Sequence, residues 1–142
     1  MGNTKPIGVA YSDQDIIGAD RVQATTIACT GTIGYAVGAY DTVTQTNNKT
    51  TGVTINTPSG QIITANSQLA PSAQAVFVVT CSAVSTKDVV VISPSSGGTV
   101  GAYNIFVAAI ADGSFTVVIK NSTNNAYSEA IRLNYAILHT AT

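Results

Sequence analysis

The chain has 142 residues, enough for one domain with a substantial buried core, and only 9% of them are charged against roughly 25% in an average soluble domain. Net charge is −1, with six basic residues (Lys5, Arg21, Lys49, Lys87, Lys120, Arg132) spread singly along the chain, which excludes the clustered phosphate contacts that drive nucleic-acid binding. No apolar run approaches a membrane span and no signal-peptide pattern follows Met1, so the composition predicts a soluble, non-exported protein whose exterior is coated with hydroxyls and amides. Such a surface is cheaper to desolvate than one of Lys and Glu and suits packing against other protein.

In chain order, residues 1–20 hold Pro6, three glycines and three of the seven acids without strand-length alternation. They read as an extended N-terminal arm. Its apolar residues Ile7, Val9, Tyr11, Ile16 and Ile17 exceed what a solvated tail needs; either they lie across the protein's own domain or they dock on a partner. From Arg21 the period is close to two. Val22 to Cys29 alternates weakly, Ile33 to Val37 is short and lies between glycines, and Thr42 to Thr46 and Gly52 to Asn56 flank an Asn47-Asn48-Lys49 turn as a hairpin would. Thr57-Pro58-Ser59-Gly60 reads as a polar turn before a strand at Gln61 to Thr64. Asn66 to Gln74 reads as a loop crossing between sheets.

The second half carries the strongest strand signals: Ala75 to Ser82, Asp88 to Ser93, Ala102 to Ala109, Ser114 to Asn121 and Glu129 to Leu138, each rich in β-branched or aromatic residues and bounded by turn residues. Ala111-Asp112-Gly113 marks a hairpin, and Pro94 to Gly98 a long flexible turn. The helical period is nearly absent. The fold class expected is all-β, an antiparallel, jelly-roll-like β-sandwich over residues 21–142 preceded by the arm.

Candidate chemistry is sparse. His139 is the sole histidine, expected to be solvated, so neither a Ser-His arrangement nor a multi-histidine metal site can be assembled around it. Cys29 and Cys81 lack C-x-x-C spacing and read as free, partly buried thiols, although their pairing is open. Asp13 and Asp15 lack the other ligands of a calcium loop. Asp88, Asp112 and Glu129 stand at strand starts or turns, where acids serve local hydrogen bonds. Gly97 to Gly101 has no lysine and opens no helix, so it is no phosphate cradle. Asn48-Lys49-Thr50 and Asn121-Ser122-Thr123 match the glycosylation pattern by chance in so Asn- and Thr-rich a chain. Tyr35, Tyr40 and Tyr127 lie near Gly- or Asn-rich turns, where an exposed ring could serve a contact, whereas Tyr103 and Tyr135 fall inside strands. The expectation is a protein that is not an enzyme and uses no cofactor and no metal.

The segments Thr44-Gln45, Lys49 to Asn56, Gly60 to Ile62, Asp88 to Val91, Gly101 to Tyr103, Gly113 to Phe115, and Ser128 to Ile131 with Asn134 to Ile137 together resemble small β-proteins of tailed-bacteriophage virions, over about Asp41 to Leu138. Among these are capsid decoration (cement) proteins and modules of head and tail fibres. The resemblance implies a homotrimer on the outer head surface of the virion, assembled in the host bacterial cytoplasm. Its partner would be the major capsid protein, engaged through Ile7, Val9, Tyr11, Ile16 and Ile17. The alternative it implies is a fibre module binding a host receptor or glycan.

Overall fold

A computed structural model describes residues 22–140. The chain divides into two units, Met1–Ile33 and Gly34–Thr142. The described part of the first, residues 22–33, is exposed throughout and holds no strand. The strand expected at Val22 to Cys29 does not form; its alternation rests on Ala and Thr, whose side chains bury little apolar area. Ile33 to Val37 also forms none, and Ile33 and Val37 stand exposed to solvent. The residues of the expected arm lie outside the described ones.

The second unit is all-β, a sandwich of two four-stranded sheets with a small two-stranded annex. Its strands are β1 (Tyr40–Thr44), β2 (Val53–Thr54), β3 (Ser59–Ile63), β4 (Gln68–Leu69), β5 (Gln74–Thr80), β6 (Val89–Ser96), β7 (Tyr103–Ala111), β8 (Ser114–Asn121), β9 (Tyr127–Ser128) and β10 (Arg132–Leu138). One sheet has the order β1-β3-β10-β6, the other β2-β5-β8-β7, and β4 pairs with β9. No helix occurs among the described residues.

Period-two patterning explains which side of each strand faces inward. Ala75, Phe77 and Val79 of β5 and Phe115, Val117 and Ile119 of β8 are buried from one sheet, and Ile62 of β3 with Leu133, Tyr135 and Ile137 of β10 from the other. These side chains form one core. Phe115 and Tyr135 meet across it with ring centroids 5.5 Å apart, and the Tyr135 hydroxyl donates to the Thr57 carbonyl at 2.8 Å. Burial pushes the Tyr135 phenol up to about 12.

Two pairings depart from the antiparallel expectation: β1 runs parallel to β3, and β2 parallel to β5. The expected hairpin around Asn47 to Lys49 is instead a crossover, because the chain leaves β1 in one sheet, enters β2 in the other, and returns to β3 beside β1. The Thr57 to Gly60 turn is shorter than expected, Ser59 and Gly60 already belonging to β3. Pro94 to Ser96, expected in a turn, extend β6, where Leu133 faces Pro94 and Arg132 faces Ser96 across a register shift. This is an edge strand of its sheet, where proline is tolerated. The hairpin at Ala111 to Gly113 forms as expected between β7 and β8, with Gly113 at φ +79°.

Gly60 is required for a steric reason. A Cβ there would lie 2.7 Å from the Asp41 carbonyl oxygen, 2.8 Å from Ile55 Cδ1 and 3.0 Å from Tyr135 Cε1. Backbone of β1 and core side chains would both have to move. Gly60→Ala is expected to lose about 1–3 kcal/mol of stability, read as a shifted urea midpoint with unchanged slope. An unshifted midpoint would show that the approach of β1 to β3 is not close.

Candidate functional site

Three features of the folded unit bear on function: its outer surfaces, a polar cluster around Lys49, and the end of the sandwich where Asp88 meets His139.

The outer faces combine polar and apolar rows. On the first sheet, register places Thr42, Gln61, Asn134 and Ser93 side by side across all four strands, and Gln61 Nε2 donates to Asn134 Oδ1 at 2.9 Å. Toward one end of this face Val89, Val91 and Leu138 are each about half exposed. On the second sheet Val76, Val118 and Phe106 lie abreast on β5, β8 and β7. Val118 is shielded from solvent, whereas Val76 and Phe106, with Val78 nearby in the same strand as Val76, remain exposed. Lys120 is the single charged residue among the strand positions that alternate outward on this face.

Lys49, expected in a turn, is only 2% exposed. Its Nζ donates to the carbonyls of Ala65 at 2.8 Å, Ser67 at 2.6 Å and Glu129 at 2.7 Å. Three acceptors match the three donors of an ammonium group. The β1–β2, β3–β4 and β9–β10 connections are thereby tied at one point. Burial pulls the Lys49 ammonium below the ordinary lysine range, and the Glu129 charge offsets part of that. Gln45, also buried, fixes the same connection by donating to Lys49 O and Thr51 O and accepting from the Ala65 N–H.

The Glu129 carboxylate accepts from the Thr99 N–H at 2.7 Å and from its hydroxyl at 3.1 Å. Burial pushes this carboxyl up, but the Thr99 hydrogen bonds, together with the nearby Tyr103 hydroxyl and the Lys49 charge, outweigh it and the net direction is down. The Gly97–Gly101 segment is held in this way over a cleft of about 240 Å³, with Pro94, Tyr103, Ile105 and Ile131 in its walls. The Tyr103 ring centroid lies 6.0 Å from that of Tyr127. The Tyr103 hydroxyl is buried without a hydrogen-bond partner among the described residues, and this burial, with the Glu129 charge, raises its pKa.

His139 is not simply solvated. Its Nδ1 lies 3.0 Å from Asp88 Oδ2, with the histidine side chain partly exposed and the aspartate enclosed. Register explains the meeting: Val89 faces Leu138 in the β6–β10 pair, so the next residues outward, Asp88 and His139, face each other. The Ser85 N–H also donates to Asp88 Oδ2 at 2.8 Å. Nearby, the Tyr35 hydroxyl donates to the Ile137 carbonyl and the Thr140 hydroxyl to the Lys87 carbonyl.

The Ser85 hydrogen bond is the main cause that holds the Asp88 carboxyl below its ordinary range, with His139 assisting against burial. A depressed folded-state pKa means stability present above the unfolded carboxyl value and lost as pH falls through the folded one. Asp88→Asn is therefore expected to flatten part of the acid-denaturation profile below about pH 4. A profile identical to that of the parent would show that Asp88 titrates alike in both states.

The other sequence candidates are not gathered into one place. Ile7, Val9, Tyr11, Ile16 and Ile17 lie outside the described residues. Tyr40 is exposed on β1, Tyr35 is partly exposed at the sandwich end, and Tyr127 packs beside Tyr103. Cys81 is a buried free thiol and Cys29 an exposed one. Asn121, a formal glycosylation acceptor, is fully buried, its amide donating to Leu69 O, Ala70 O and Asn125 O. No helix among the described residues is long and apolar enough to cross a membrane.

No family model, no curated protein and no solved structure matches this chain.

Proposed function

We propose that this protein is a capsid decoration (cement) protein of a tailed bacteriophage, lying on the outer head surface and reinforcing the shell by contact with the major capsid protein. In this reading it acts without catalysis or cofactor, as an oligomer, and is assembled in the bacterial host. The jelly-roll-like connectivity and an extended arm over residues 1–20 belong to the same reading.

The observation that carries it is the surface: Val76, Val78 and Phe106 on one outer face, and Val89, Val91 and Leu138 on the other, are exposed amid hydroxyls and amides with few charges. Such faces lose little on desolvation and gain from burial against a lattice. A protein that binds only the mature lattice stabilises it by linkage, and several attachment points per oligomer add avidity. Capsids carrying the protein are expected to melt at a higher temperature than capsids stripped of it. Equal melting at full occupancy would remove the reinforcing role.

A fibre module that binds a host receptor or glycan is the second reading. The cleft beneath Gly97–Gly101, with Tyr103 in its wall, favours it. Labelling spread over the whole head surface would exclude it, and binding of the isolated protein to host cells would support it.

A further inference from the structure

Asp88 presents an unusual account of hydrogen bonds. The residue is 5% exposed, and Oδ2 takes both the Ser85 N–H and His139 Nδ1. Oδ1 is buried and has no partner among the described residues. A buried carboxylate oxygen left unpaired in apolar surroundings is costly, so such atoms call for an explanation.

Asp88 lines an open groove of about 490 Å³ between the start of β6 and the far half of β7, whose walls include Val89, Val90, Val107, Ala108 and Ile110. On the β7 side, that strand is the edge of its sheet, so its outward backbone groups face no strand among the described residues. All nine residues of β7 are uncharged, and none is the proline or lysine that commonly protects an edge. The β-bulge between Val107 and Ala109 turns the strand locally beside the groove. The nearby Lys87 and Asp112 offset one another in charge, which leaves Asp88 as the feature that selects by charge.

We propose that this groove is a docking site for an extended, mainly apolar segment of a partner polypeptide carrying one Lys or Arg, whose side chain pairs with Asp88 while its backbone lies along the β7 edge. Edge-strand addition supplies non-specific backbone bonds, and the buried acid supplies the choice of side chain. His139, partly exposed over the other carboxylate oxygen, shifts to admit the basic group.

The test is an amide-resolved NMR titration of the full chain with two capped pentapeptides, Val-Thr-Lys-Val-Thr and Val-Thr-Gln-Val-Thr. Saturable shifts confined to Asp88–Val90 and Val107–Ile110 are expected with the lysine peptide, and binding about tenfold weaker with the glutamine peptide. Asp88→Asn should reduce the lysine peptide to the glutamine level. Because that change also loosens the Ser85 turn, Ala108→Lys, at an exposed position, is the second variant; it leaves the Asp88 bonds in place and should block the groove. Equal affinity for the two peptides, shifts that never saturate, or binding indifferent to both substitutions would overturn the proposal.

Discussion

Lys49→Ala is expected to remove about 3–5 kcal/mol of folding stability, a large part of the 5–15 kcal/mol that holds a typical domain. The ammonium group satisfies three carbonyls from two other connections of the sandwich, and its truncation leaves Ala65, Ser67 and Glu129 without that donor. Each is a bond to a charged group, the kind that contributes most, and each acceptor left buried retains its desolvation cost. Lys49→Met separates the two effects, since it fills most of the space without donating. It should recover the packing part of the loss and none of the hydrogen-bonded part. Urea unfolding of the three proteins measures this, and a loss under about 1 kcal/mol for the alanine variant would mean that water replaces the ammonium at little cost.

Deletion of Met1 to Asp20 is expected to leave a folded domain and to abolish attachment to capsids. The folding half rests on where the core lies: every strand among the described residues falls between Tyr40 and Leu138, and the second compact unit begins at Gly34. The attachment half rests on the proposed role of Ile7, Val9, Tyr11, Ile16 and Ile17 as anchors. Co-sedimentation with capsids reads the second and circular dichroism the first. Attachment at parental stoichiometry would transfer the docking role to the sandwich faces. Loss of the folded signal would show that the deleted residues support the domain.

The β class and most of the second-half strands were legible because β5, β7, β8 and β10 alternate large apolar residues at period two and β6 opens on a β-branched run, with turn residues outside them. Topology was not, since alternation specifies faces and says nothing of neighbours. Thr42 to Thr46 and Gly52 to Asn56 look like hairpin arms around an Asn-rich turn, yet β1 and β2 enter different sheets. Lys49 was invisible for a related reason. Nothing local distinguishes a lysine in Asn48-Lys49-Thr50 that reaches solvent from one that reaches carbonyls 16, 18 and 80 residues away. The pairing of Asp88 with His139 becomes readable only once the β6–β10 register is known. Gly60 carried a signal, read as a turn glycine, whose actual cause is the close passage of a neighbouring strand.

The place of β10 has a consequence for how this chain reaches its native state. It follows every other strand of the described residues in chain order, yet it lies between β3 and β6, with Asn134 joined to Gln61 across 73 residues of sequence. A nascent chain that ends before Arg132 holds β3 and β6 with no strand between them, so this sheet closes only after Arg132–Leu138 has been made. Folding is then limited by distant contacts, and a folded state reached through such ordering is expected, at a given stability, to be left slowly as well as entered slowly.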